Sequence, residues 1–142
     1  MRDLPRQLSV DELAALFEGR TRFVEQLAKV EDPLGRAREL AATLTDAEKK
    51  EVLDAHPAIG ARRLSKHSAA EQGGDEAPPE LEDLNRAYEQ KFGFRFVVFV
   101  DRRPKRELVP ILRERLERSR EQELTTAIDE LVAIAVDRWR RS

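Results

Sequence analysis

Ser9-x-x-Glu12, Thr45-x-x-Glu48, Ser68-x-x-Glu71 and Ser119-x-x-Gln122 share one arrangement, a hydroxyl followed three residues later by a Glu or Gln. In a capping box the hydroxyl takes the backbone N–H of the third helical residue, and the Glu or Gln reaches back to the N–H of the cap. Two donors that a helix start leaves open are thereby satisfied. A chain of 142 residues with this many helix starts, and with no long alternating apolar pattern, is constrained to an all-α fold.

Length and composition narrow the class. At 142 residues the chain is one domain, 1–142, able to bury a core without staples. The absence of cysteine excludes disulfides and thiolate metal sites, and two histidines make a His-rich metal site a poor fit. The 26 basic and 28 acidic residues are well mixed, with no basic face of the kind that binds nucleic acid. No apolar run, residues 96–100 included, approaches the length that spans a bilayer, and MRDLPRQLS lacks the apolar core of a secretory signal. A soluble cytoplasmic protein is the default expectation.

Along the chain, Ser9 opens a helix with Leu13, Leu16 and Phe17 on one face, stopped by Gly19. Phe23, Val24, Leu27 and Val30 repeat the helical spacing and predict a second helix ending before Asp32-Pro33, and 34–44 reads as a third. Thr45 caps a fourth, running to Ala55 with Val52 and Leu53 inward. The Gly/Pro-rich GGDEAPPE is a loop leading into a proline-initiated helix over 79–92, with Leu81, Leu84 and Tyr88 inward and Gly93 as its stop. Residues 94–100, FRFVVFV, are β-branched and aromatic, a single extended segment whose backbone groups must be met by side chains, water, a partner or a ligand. A helix from Pro104 to about Arg118 is predicted to bend at Pro110. The last helix starts at Ser119 and carries Leu124, Ala127, Ile128, Leu131, Ile134 and Ala135 as its apolar stripe. The elements read along the chain are helices, with one short extended segment near residues 94–100.

Chemistry-bearing residues concentrate between Ala55 and Gln72. His56 precedes Pro57, so it belongs at a helix end, where the negative end of the helix dipole favours imidazolium and nudges its pKa upward. Such a group suits proton transfer near neutrality, and equally well serves as a plain helix stop. Ser68-Ala69-Ala70-Glu71-Gln72 is both a helix cap and a lining suited to a polar, anionic ligand, because a helix start exposes free N–H groups. His67, among Arg62, Arg63 and Lys66, reads as solvated. Arg138 lies four residues beyond Ile134 and seven beyond Leu131, on the core face, so it requires an acid: a structural Asp or Glu, or a ligand carboxylate.

HPAIG from His56, the Ser68-x-x-Glu71-Gln72 cluster, LNRAYEQKFGF followed by FVVFV, and the ending around Arg138 together resemble the 2-oxo-4-hydroxy-4-carboxy-5-ureidoimidazoline (OHCU) decarboxylase family. The resemblance runs from about Leu8 to the C-terminus. It implies a single-domain, all-helical bundle, usually a homodimer, acting in urate breakdown without metal or organic cofactor, on a small ureidoimidazoline, giving (S)-allantoin. By position, it makes His56 and Glu71 the catalytic pair. Pro57, Ser68, Ala69, Ala70, Gln72 and Arg138 become substrate-binding, together with the extended Phe96, Val97, Val98, Phe99 and Val100, whose backbone amides meet the ligand. Arg95 stands where the family pattern has proline, Asp101 replaces a frequent arginine, and the stretch between His56 and Ser68 is shorter than in many relatives. Two other readings compete: a relative acting on another ureido or amide carboxylate, and a non-enzymatic helical interaction module.

Overall fold

The computed structural model describes residues 3–57 and 78–142. Seven α-helices and one short 3-10 helix appear among them, and no strand: α1 Val10–Phe17, α2 Arg22–Leu27, α3 Ala37–Ala41, α4 Asp46–Ala55, α5 Pro79–Phe92, the 3-10 turn Lys105–Glu107, α6 Leu108–Leu116 and α7 Arg120–Arg141. The capping boxes at Ser9, Thr45 and Ser119 are closed in both directions, so these helix starts follow from side chains three residues apart. The fourth box, Ser68 with Glu71, lies outside the described residues, as does most of the predicted GGDEAPPE loop.

The 22-residue α7 is the spine, about 33 Å long at 1.5 Å per residue. It packs against α1, α3 and α4, while α2 packs on α1 and α4, and α5 pairs with α6. Leu131, Val132, Ile134 and Ala135 of α7 are buried with Phe17, Phe23, Leu27 and Leu53 in one apolar core. Phe17 and Phe23 meet edge to face at 5.6 Å. Each such fully buried side chain contributes about 1.5–3 kcal/mol relative to exposure. Arg120 fastens three ends of the bundle, donating to both oxygens of Asp46 at 2.7 and 2.9 Å and to the Phe92 carbonyl at 2.9 Å.

Several boundaries differ from those read in the sequence. The left-handed stop of α1 is Glu18, φ 68°, and Gly19 follows it. The second helix ends at Leu27 and the third spans only Ala37–Ala41, with turns on either side. Thr21, overlooked as a cap, accepts from the Val24 N–H. The helix read from Pro104 is a 3-10 turn followed by α6, and Pro110 falls in the first turn of α6, where its missing N–H costs no intrahelical bond. Residues 94–100 belong to no helix and pair with no strand among the described residues, and two consecutive residues at positive φ, Asp101 and Arg102, then turn the chain toward α6.

Candidate active site

His56 is the C-cap of α4, with φ −78° and ψ 135°, the extended conformation that the following Pro57 demands. Only 7 % of the residue is exposed, and Pro57 is half-buried beside it. Burial reverses the charge read from sequence. The His56 pKa is pushed down to about 4, first by desolvation, then by the positive charge of Arg138 and more weakly by Arg95, with Glu18 opposing. The field of one helix end is outweighed by the loss of water, so the imidazole is neutral at pH 7. Its Nδ1 is buried and has no hydrogen-bond partner among the described residues.

Arg138 projects from the core face of α7 and is fully buried. Its Nη1 donates to the Leu16 carbonyl at 2.9 Å and forms an ion pair with Glu18 Oε1 at 3.1 Å. Of the two acids open to it from sequence, a protein carboxylate is therefore present. Glu18 reaches Arg138 from its left-handed position at the end of α1. Next to it, Gly19 lies so close to α4 that an added Cβ would stand 3.4 Å from that of Ala55. The ends of α1 and α4 thus converge, and His56, Arg138 and Glu18 share one electrostatic neighbourhood. Nothing in the sequence singled out Glu18; the available signal was that a core-facing arginine needs an acid.

The extended segment forms a wall held mainly through its carbonyls. Arg115 Nη1 donates to Val97 O at 2.7 Å, and Arg103 donates to Phe99 O and Val100 O at 2.5 and 2.9 Å. Arg115 is itself locked by Glu123, which is fully buried and also accepts from the Tyr88 hydroxyl and Arg118. These three arginine-to-carbonyl attachments orient the strip without a partner strand. Phe96, Val97, Val98 and Val100 are buried and Phe99 is half-buried. Of the N–H groups over 96–100, only that of Phe99 finds an acceptor among the described residues, Glu130 at 3.4 Å. Immediately before the wall, Arg95 donates to the His56 carbonyl at 2.8 Å.

Ser68, Ala69, Ala70, Glu71 and Gln72 lie outside the described residues, so the geometry assembled here is that of His56, Pro57, Arg138 and the extended segment. Among the described residues no group of three His, Asp or Glu side chains is arranged to hold a metal. A groove of about 440 Å³ borders Phe99, Val136 and Asp137 on α7, but His56 is not part of its lining.

A family model described as OHCU decarboxylase matches residues 2–140. A 2-oxo-4-hydroxy-4-carboxy-5-ureidoimidazoline decarboxylase of Halalkalicoccus jeotgali is 33% identical over 112 residues, 71% of this chain and 64% of that protein. A uric acid degradation bifunctional protein of a Bacillus species is 29% identical over 108 residues, 70% of this chain and 22% of that protein. The match therefore spans less than two thirds of either curated relative. Among solved structures, an OHCU decarboxylase crystallised in the presence of (S)-allantoin superposes with a TM-score of 0.75 at 26% identity, covering 90% of this chain and 94% of the other. An (S)-allantoin synthase structure shares the fold, with a TM-score of 0.66 at 24% identity, covering 91% of this chain and 47% of the other.

Proposed function

Because the chain belongs to the OHCU decarboxylase family, we propose that it converts 2-oxo-4-hydroxy-4-carboxy-5-ureidoimidazoline to (S)-allantoin and CO₂, a carboxy-lyase step of urate degradation. The observation that carries this reading is the buried, neutral His56, whose Nδ1 has no partner among the described residues, beside Arg138, in a chain matched to the family over residues 2–140.

The substrate determines the chemistry required. Its carboxylate shares a tetrahedral ring carbon with the hydroxyl, next to an unsaturated ring bond, so breaking that C–C bond releases CO₂ and leaves an electron pair that the neighbouring unsaturation delocalises. One proton is then taken up on a single face of the ring, which sets the stereocentre. The protein must hold the carboxylate out of the ring plane, donate hydrogen bonds to the developing oxyanion and control the proton. In this reading a neutral His56 meets the leaving carboxylate or handles the proton, and an incoming anion raises its pKa from the depressed value of the empty site. Arg138, oriented by Glu18, positions the anionic edge of the substrate. The N–H groups of residues 96–100, on a strip held largely by its carbonyls, line the ring's polar edge. Glu71 engages the substrate hydroxyl and ureido N–H groups, while Ser68, Ala69, Ala70, Gln72 and Pro57 complete the lining. These six assignments rest on the family resemblance, as do a homodimeric assembly, a cytoplasmic setting and turnover without a cofactor.

The test generates the substrate in place from urate with uricase and hydroxyisourate hydrolase, and follows the circular dichroism of allantoin with and without the protein. One enantiomer should accumulate faster than spontaneous decay, and His56→Asn should lower the rate by about 10²–10⁴-fold with unchanged helicity. A racemic product at the uncatalysed rate would reject the assignment.

A further inference from the structure

We propose that Arg95 is a positioning residue for His56, clamping the carbonyl end of α4 so that the backbone from which the imidazole projects is fixed. The proposal rests on the decarboxylase reading for its activity arm and on geometry for the rest. Carbonyls in the last turn of a helix have no intrahelical donor. At the end of α4 the shortage is acute, because Pro57 supplies no N–H. Arg95 makes up the deficit: Nη1 donates to the carbonyls of His56 at 2.8 Å and Asp54 at 3.3 Å. Its backbone N–H donates to Asp54 Oδ1 at 3.0 Å, and its Nε to Glu89 Oε1 of α5 at 3.1 Å. One side chain therefore joins the end of α4, the face of α5 and the start of the extended segment.

The consequence is mechanical first. An imidazole is aimed by two torsions on its own backbone, and here that backbone is the terminal residue of a helix, the place most prone to fray. Fixing its carbonyl fixes the base from which the ring swings. A cation that satisfies C-terminal carbonyls also cancels part of the helix-end field that would otherwise favour imidazolium. The charged groups acting on His56 are Arg138 from α7, Glu18 at the end of α1 and Arg95 before the wall, while Asp54, two residues earlier on α4, is paired with Lys50.

The experiment compares wild type, Arg95→Ala, Arg95→Lys and Glu89→Gln by two readouts. The first is kcat and KM for formation of one allantoin enantiomer. The second is an NMR titration of the His56 ring in the ligand-free protein, with His67→Gln used to assign the second imidazole. Loss of aim by a fraction of an ångström predicts roughly a tenfold fall in kcat for Arg95→Ala with KM changed less than about threefold. Arg95→Lys should recover part of it, and the His56 titration in Arg95→Ala should move upward toward the ordinary histidine value. Glu89→Gln keeps the clamp but loosens its outer anchor, so it should give a smaller change in the same direction and stands in if Arg95→Ala does not fold. Wild-type kcat in Arg95→Ala overturns the proposal, and so does a kcat loss with an unmoved His56 titration. If wild type itself fails to accelerate the reaction, the decarboxylase reading falls, and the titration alone decides whether Arg95 holds His56.

Discussion

Keeping His56 neutral has a cost that is measurable as pH-dependent stability. The unfolded chain protonates this histidine near 6.5, whereas the folded chain resists until about 4. Above 6.5 both states hold a neutral ring and the term vanishes. As pH falls through that value, the unfolded state gains a proton that the folded state refuses, so stability drops with acid and the full cost is reached below the folded pKa. With 6.5 unfolded and about 4 folded, the loss is about 2 kcal/mol at pH 5 and about 3 kcal/mol below pH 4. The assay is urea unfolding followed by far-UV circular dichroism, at pH 7.5 and pH 5, for wild type and His56→Gln. The variant removes the titrating group, so wild type should lose about 2 kcal/mol more than the variant between the two conditions. Any contribution from His67 and the surface carboxylates is common to both proteins and cancels. Parallel losses in wild type and variant would refute the reasoning, because they would mean that His56 titrates alike in the folded and unfolded chain.

The other consequences concern the ion pair, the wall and the caps. Arg138→Met leaves Glu18 without the buried cation it now faces at 3.1 Å, and should destabilise the fold by about 3–5 kcal/mol in urea unfolding, whereas Glu18→Gln/Arg138→Met together should recover part of that loss. Tyr88→Phe removes the 2.7 Å hydroxyl bond to buried Glu123 and should cost about 1–2 kcal/mol by the same measurement. Glu123→Gln strips the carboxylate from Arg115 and Arg118, slackening the Arg115 hold on Val97 O; it should raise amide hydrogen exchange over residues 96–100 while exchange in the middle of α4 stays near wild type. Ser119→Ala opens the capping box of α7 and should lower stability by about 1 kcal/mol with no effect on allantoin stereochemistry.

What the sequence made legible was whatever a few neighbouring residues decide among themselves. The boxes at Ser9, Thr45 and Ser119, the His56-Pro57 helix end, the Gly93 stop at φ 82° and the unpaired FVVFV segment each depend on contacts within about one helical turn, and each is present. The second and third helices fell short because periodicity registers which side chains turn inward and not where turns replace a helix: Val30, Leu34 and Leu44 keep the helical spacing but sit in turns, with Leu34 and Leu44 buried all the same. The charge state of His56 was out of reach for a related reason. Read locally, a helix C-terminus adds negative field and favours imidazolium. The outcome is set by burial and by groups brought from α1, α7 and position 95, the first two joined by a bond between residues 122 apart in sequence. Two of these three groups are cations, so an imidazolium at this position would face Arg138 and Arg95, with Glu18 opposing them. A site of this composition repels a proton when empty and favours an anion when filled, and that sign follows only once the ends of α1, α4 and α7 have been brought together.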